Sequence, residues 1–184
     1  LKIPPVDRYI AGYQFAAKRT KKGMTTLNGY SQNFVAQDAC KEQALNQIDQ
    51  DADVVFAVAG QCGLGAISAA KERGKWAIGV DADQGYLGPY MLTSALKKVD
   101  AAVYKTVQLA KAGVFKGGID TLFTVKNGGV GYGKISARAP RAVRTKLAAA
   151  LGSESAHVAD RTHGPKSRTA AISSGTRRPA SRRQ

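Results

Sequence analysis

The 184-residue chain is poor in the side chains on which most catalytic centres depend. It holds two histidines, His157 and His163, both in a C-terminal stretch without apolar patterning, so a histidine-dependent active site is not expected. Two cysteines, Cys40 and Cys62, are too few for a structural zinc site, which takes about four ligands. No Ser-His-Asp set, H-E-x-x-H motif or paired C-x-x-C occurs. No apolar run reaches the ~18 residues that would span a bilayer. The opening segment LKIPPVDRYI lacks the apolar stretch of a secretory leader, and the first residue is Leu1, which reads as a processed or truncated start. Acidic residues are scarce as well: 13 against 28 basic ones, for a net charge of +15.

That charge is unevenly placed. Residues 134–184 hold 12 Lys/Arg and 2 Asp/Glu, while 1–133 hold 16 and 11. Two thirds of the excess sits in the last 51 residues, so the folded part is only mildly basic. From Gly152 the chain is rich in Ser, Thr, Gly, Pro and Arg, a composition that cannot bury enough apolar area to offset its ordering entropy. Residues 152–184 are expected to be mostly disordered, and 137–151 to form a helix. The tail leaves non-specific nucleic-acid binding open as a function of its own.

What precedes it alternates. Residues 6–19 place Ile10, Tyr13, Phe15 and Ala17 on a broad helical face. Residues 24–30 suit a strand and 37–50 a helix. The apolar run 53–59 suits a strand buried on both faces. A helix over 64–73 follows, ended by Gly74 in the C′ position. Strands are expected at 76–80 and 91–94, a long amphipathic helix at 95–112, and a last strand at 120–126 with a glycine-rich exit. Alternation of this kind implies an α/β fold with a parallel, Rossmann-like sheet. In such sheets ligands bind beyond the carboxyl ends of the strands. Attention therefore falls on 30–34, 60–65, 81–84 and 127–133.

The glycines Gly60, Gly63 and Gly65 have the spacing G-x-x-G-x-G, not that of the dinucleotide fingerprint; they suit a tight strand-to-helix turn lining a flat ligand. GGVGYGK (128–134) matches the start of a phosphate-binding loop, but Ile135 stands where a magnesium-holding Ser or Thr belongs. Asp81 and Asp83 end a buried strand, where carboxylates bind metal, act as acid and base, or accept ligand hydroxyls. Two carboxylates alone are too few for a metal. Phe34 and Tyr30 lie where an aromatic serves as a stacking platform or packs under a loop. Lys97 and Lys98 open the expected fourth helix, one of them toward the site. Cys40 and Cys62 fall near the starts of consecutive helices and are close enough in that arrangement for either a disulfide or two buried thiols.

Taken together, VAGQCGLG (58–65), GVDADQ (79–84), LTSALKKVD (92–100), KGG (116–118) and GGVGYG (128–133) resemble the basic membrane lipoprotein (BMP) family. These are substrate-binding proteins of bacterial ABC transporters, several of which bind purine nucleosides. The segments 3–17 and 28–56 fit as well, so the resemblance covers about 1–136. It implies a type I periplasmic-binding-protein-like fold of two α/β lobes, with a nucleoside in the cleft between them. By motif, Asp81 accepts the ribose hydroxyls, Lys97 reaches the ribose edge, Phe34 stacks on the base and the Gly60–Gly65 turn lines its edge. It further implies no catalysis, no cofactor, a monomer that docks on permease subunits, and lipid anchorage at the extracytoplasmic face of the membrane. A sugar- or autoinducer-binding module of the same fold shares most of these features.

Against that family the sequence shows no lipoprotein signal, anchor cysteine or first set of strands. The expected organisation is therefore a partial protein: a ligand-binding lobe over 1–136 and a basic tail over 137–184. The change of composition near Ala139 suits a frameshifted or misjoined end.

Overall fold

The computed structural model describes residues 1–149. Helix α1 spans Pro4–Thr20; two prolines at its start, Asp7 in the first turn and Lys18 and Arg19 in the last suit a helix's vacant N–H groups and its dipole. Helix α2 is Gln37–Ile48, strand β1 Val54–Phe56, helix α3 Gly63–Glu72 and strand β2 Trp76–Asp81. Strand β3 is Met91–Lys97, helix α4 Val99–Lys111 and strand β4 Val130–Tyr132. A further helix begins at 141 and runs to the limit of description at 149. Short 3-10 turns at Gly60–Cys62 and Gly85–Leu87 follow β1 and β2.

The sheet order is β1-β2-β3-β4. The first three strands are parallel, as alternation with helices requires, and β4 runs antiparallel to β3. The core lies between α2, α3 and the sheet: Cys40, Ala44, Ile48, Val55, Ala57, Cys62, Ala66, Ile67, Ala69, Ala70, Ala77 and Met91. Its side chains are mostly small, so α2 and α3 approach closely. At Gly65 a Cβ atom would collide with the backbone carbonyl of Gln37. A disulfide joins Cys40 of α2 to Cys62 before α3, with Cα atoms 5.5 Å apart, which resolves the two alternatives left open above.

Four sequence expectations are corrected. Phe15 is exposed; the inward stripe of α1 keeps the expected Ile10, Tyr13 and Ala17, all half-buried, and adds the buried Val6, and Tyr9 and Tyr13 pack on Phe56 at 6.4 and 5.5 Å. Residues 24–30 are not a strand. The Tyr30 hydroxyl donates to Asp7 at 2.7 Å and the Gln14 amide to Asn28 at 3.4 Å, so the segment is tied to α1 rather than to β1. A cavity of about 330 Å³ separates it from that strand. Residues 120–126 are likewise not a strand. Asn127 accepts from the Thr124 N–H and donates to the Leu122 carbonyl, folding the stretch into a turn that leaves Leu122 exposed.

The boundary between β3 and α4 also differs, and it positions the site. The expected helix over 95–112 starts at Val99, and residues 95–97 belong to β3. Ala95 and Leu96 pair with Val80 and Asp81 on one side, and with Tyr132 and Gly131 on the other. A central strand satisfied along both edges overrides the helical preference of Ala, Leu and Lys. The glycine-rich run supplies the second edge, so it holds a strand rather than a loose exit. The expected helix over 137–151 is seen over 141–149. The expectation for 152–184 lies outside the described residues.

Candidate functional site

Asp81 and Lys97 are the last residues of two neighbouring parallel strands. Lys97 Nζ lies 2.9 Å from Asp81 Oδ1, and both side chains are about half exposed. The hydrogen bond to Asp81 holds the Lys97 ammonium above the ordinary lysine range, against the opposite pull of its partial burial. Asp81 has φ +68°, a left-handed conformation that costs a non-glycine residue about 1–2 kcal/mol, less for Asp and Asn. A half-exposed ion pair contributes only about 0–1 kcal/mol. The two magnitudes are comparable, so the pair adds little net stability to the strand ends that display it.

The conformation is held by a network just beyond β2. The Val80 N–H donates to Gln84 Oε1 at 2.9 Å, and the Gln84 N–H donates to Ser94 Oγ at 3.0 Å, a fully buried hydroxyl. Asp83 accepts from the N–H groups of Gly85 at 3.1 Å and Lys134 at 3.0 Å. The Lys134 N–H, above all, draws the Asp83 carboxyl below the usual carboxylate range. The two aspartates therefore divide. Asp83 fastens the end of β4 to the end of β2, while Asp81 faces outward with Lys97.

The same geometry removes the phosphate-loop reading of 128–134. Residues 130–132 are a strand, the Gly133 N–H donates to the Ser94 carbonyl at 2.8 Å, and the Lys134 N–H is already on a carboxylate. Among the described residues no group of three His, Cys, Asp or Glu side chains converges to hold a metal ion.

At the end of β1 the glycines also divide. Gly63 and Gly65 are buried, and Cβ atoms there would meet Ala57 and Gln37. Gly60 is exposed with φ +57°, and a Cβ on it would stand 3.6 Å from Phe34 Cδ1. The Phe34 carbonyl accepts from the Cys62 N–H at 2.9 Å, fixing the aromatic beside this turn. Phe34 and Gly60 thus sit together at the carboxyl end of β1, and Asp81 and Lys97 at those of β2 and β3. Tyr30, the other aromatic singled out, is occupied by Asp7.

One residue at this edge escaped sequence reasoning. Tyr9 packs edge-on against Phe56, the last residue of β1, and its hydroxyl is buried without a hydrogen-bond partner. Burial pushes its phenol up, with Lys97 and Asp81 the charges that act on it next. Its four-residue spacing from Tyr13 marks a helix face, but carries no sign that the hydroxyl end faces the strand termini.

Comparison with known proteins bears on the family and the fold. Residues 1–150 match the Bmp family, described as ABC transporter substrate-binding protein PnrA-like. Basic membrane protein D of Borreliella burgdorferi is 35% identical over 130 residues, covering 68% of this chain and 38% of that protein. An uncharacterized lipoprotein of Pyrococcus abyssi is 36% identical over 141 residues, covering 71% and 35%. Among solved structures, an ABC transporter solute-binding protein from Aeropyrum pernix K1 superposes with a TM-score of 0.63 at 32% identity, over 73% of this chain and 39% of that one. A solute-binding protein from Conexibacter woesei shares the fold, with a TM-score of 0.60 at 20% identity. The chain spans less than two fifths of the curated relatives named here. The family match extends beyond residue 136, where the resemblance read from motifs ends, and the family's description is that of a substrate-binding protein rather than an enzyme. With a parallel α/β sheet, a match over most of its length and relatives above 30% identity, the chain belongs to the PnrA-like family of ABC transporter substrate-binding proteins.

Proposed function

We propose that residues 1–136 form one wall of the ligand cleft of an ABC importer's substrate-binding protein, and that the ligand is a purine nucleoside. The observation that carries this reading is the Asp81–Lys97 pair at the carboxyl ends of adjacent parallel strands. A carboxylate offers two acceptor oxygens to a vicinal diol, and an ammonium offers three donors to sugar oxygens. Asp81 accepts the ribose hydroxyls and Lys97 reaches the ribose edge, opening their mutual bond to do so. Phe34 stacks on the base. Of the three glycines, Gly60 is the one whose surface is open to line the base edge; Gly63 and Gly65 support the turn from beneath.

The partner of this wall in transport is a permease. The names of the relatives, basic membrane protein and lipoprotein, support a membrane-anchored extracytoplasmic location. The Cys40–Cys62 disulfide supports it independently, since such bonds persist in oxidising compartments. Residues 137–184 are read as an appendage to this lobe.

Isothermal calorimetry of the full chain with adenosine, guanosine, inosine and free ribose tests the reading. One wall of a cleft buries only part of a small ligand, so nucleoside binding is expected no tighter than the high-micromolar range, weaker still for ribose, and lost in Asp81→Asn. Sub-micromolar binding would overturn the single-wall part. Binding indifferent to Asp81→Asn would overturn the site.

A further inference from the structure

The hydroxyl of Tyr9 is the one side-chain N or O atom among the described residues that is buried without a hydrogen-bond partner. A buried polar group left unpaired is costly, and native folds leave few of them. Nothing in the packing of α1 requires this one. The contacts that seat the residue are made by its ring against Phe56, and phenylalanine would make them equally. Its setting also differs from that of the other tyrosine of the stripe. Tyr13 has its largest perturbation from burial and its next from Asp53, ahead of β1, whereas Tyr9 lies in the field of Asp81 and Lys97. Lys97 is influenced by Tyr9 in return. The ring of Tyr9 rests on Phe56, the last residue of β1, so its hydroxyl is held at the carboxyl-edge side of the sheet, within reach of the charges of Lys97 and Asp81.

We infer that Tyr9 is a third hydroxyl-recognising residue of this site, its Oη completing a hydrogen bond only when a ligand hydroxyl is present. The inference rests on the reading of Asp81 and Lys97 as the sugar-holding pair, and deepens it. A carboxylate can only accept and an ammonium can only donate, but a phenol does both. The three groups together can satisfy a hydroxyl whichever way its proton points. That favours ligands bearing a free ring hydroxyl over deoxy analogues, because a ligand lacking the hydroxyl leaves Tyr9 unpaired again.

The test compares adenosine with 2′-deoxyadenosine and 3′-deoxyadenosine on the full chain, its Tyr9→Phe and Asp81→Asn variants, using NMR titration suited to weak binding. Melting temperature is recorded for each. Tyr9→Phe is expected to melt no lower than the wild type, because it removes an unpaired hydroxyl and keeps the ring. It should weaken adenosine binding about tenfold, and reduce the preference for adenosine over one deoxy analogue by the same factor. Equal adenosine affinity in Tyr9→Phe, alongside loss in Asp81→Asn, overturns the role of Tyr9 and leaves the sugar-holding pair standing. Uniform weakening toward all three ligands with a lower melting temperature makes Tyr9 structural and also overturns it. Absence of saturable adenosine binding in the wild type overturns the nucleoside reading, and this inference with it.

Discussion

Lys97 Nζ and Asp81 Oδ1 lie 2.9 Å apart, closing a bond between the carboxyl ends of two parallel strands at the open edge of the sheet. The pair is half exposed, so its contribution to stability is about 0–1 kcal/mol. Asp81→Asn should therefore melt within a few degrees of the wild type while losing ligand. Asparagine also tolerates the left-handed backbone at φ +68°. Asp81→Ala, which does not, should lose a further ~1 kcal/mol, and Asp81→Gly should recover it. Chemical denaturation of the three variants reads the order directly.

The two charges give opposite pH signatures. Asp83 is held below the ordinary carboxylate value, first by the Lys134 N–H. Its stabilising contribution is full above that ordinary value and is lost as pH falls through the lowered folded one. Below pH ~4 the amide of Lys134 should exchange faster relative to its intrinsic rate, and Asp83→Ala should reproduce this at neutral pH with a cost of about 0.5–1.5 kcal/mol, since the carboxylate is exposed. Lys97 is held above the ordinary lysine value by Asp81. Its smaller contribution is present below that value and is lost as pH rises through the raised folded one. Hydrogen exchange on the acid side and a melting profile on the alkaline side separate the two.

The disulfide between Cys40 and Cys62 closes a separation of 22 residues. Chain-entropy reasoning assigns such a link about 3 kcal/mol, and for a chain of this size each kcal/mol moves the melting temperature by about 2–4 °C. Reduction, or replacement of both cysteines by serine, should lower the midpoint by about 6–12 °C. An unchanged melting curve after confirmed reduction would show that the bond carries no stability.

Two glycines in helices should respond to alanine with opposite sign. At Gly65 the new methyl group meets the Gln37 carbonyl, so α2 and α3 must part, at a cost of about 1–3 kcal/mol. At Gly12, within α1, nothing stands within 4 Å of the new atom. There alanine should stabilise by about 0.5–1 kcal/mol through helix propensity alone. Denaturant unfolding of the two variants compares them.

Much of this arrangement was legible in the residues because local signals and tertiary partners agree. The apolar run at 53–59 and the strand at 76–80 find parallel neighbours, and Gly74, at φ +63°, ends its helix as placed. Legibility failed where a side chain decides the backbone's partner. Tyr30 and Asn28 bind α1 and draw 24–30 off the sheet, and Asn127 curls 122–129. Neither effect has a period. For the site, the motif resemblance points to Asp81 and Lys97, but helical preference places the lysine at a helix start. Only the two-sided pairing of β3 shows why it lies beside Asp81. The spacing of Tyr9 from Tyr13 marks only a helix face, since an unpaired hydroxyl is a property of the assembled fold.

The most direct test follows the backbone amides of Asp81, Lys97 and Gly60 by NMR during titration of the full chain with adenosine, in the wild type and in Asp81→Asn. The expected result is saturable shifts confined to the carboxyl ends of β1, β2 and β3, with affinity no tighter than high micromolar and no saturation in the variant. Shifts centred elsewhere, or the same isotherm in both proteins, would contradict the assignment of this edge as the nucleoside-binding wall.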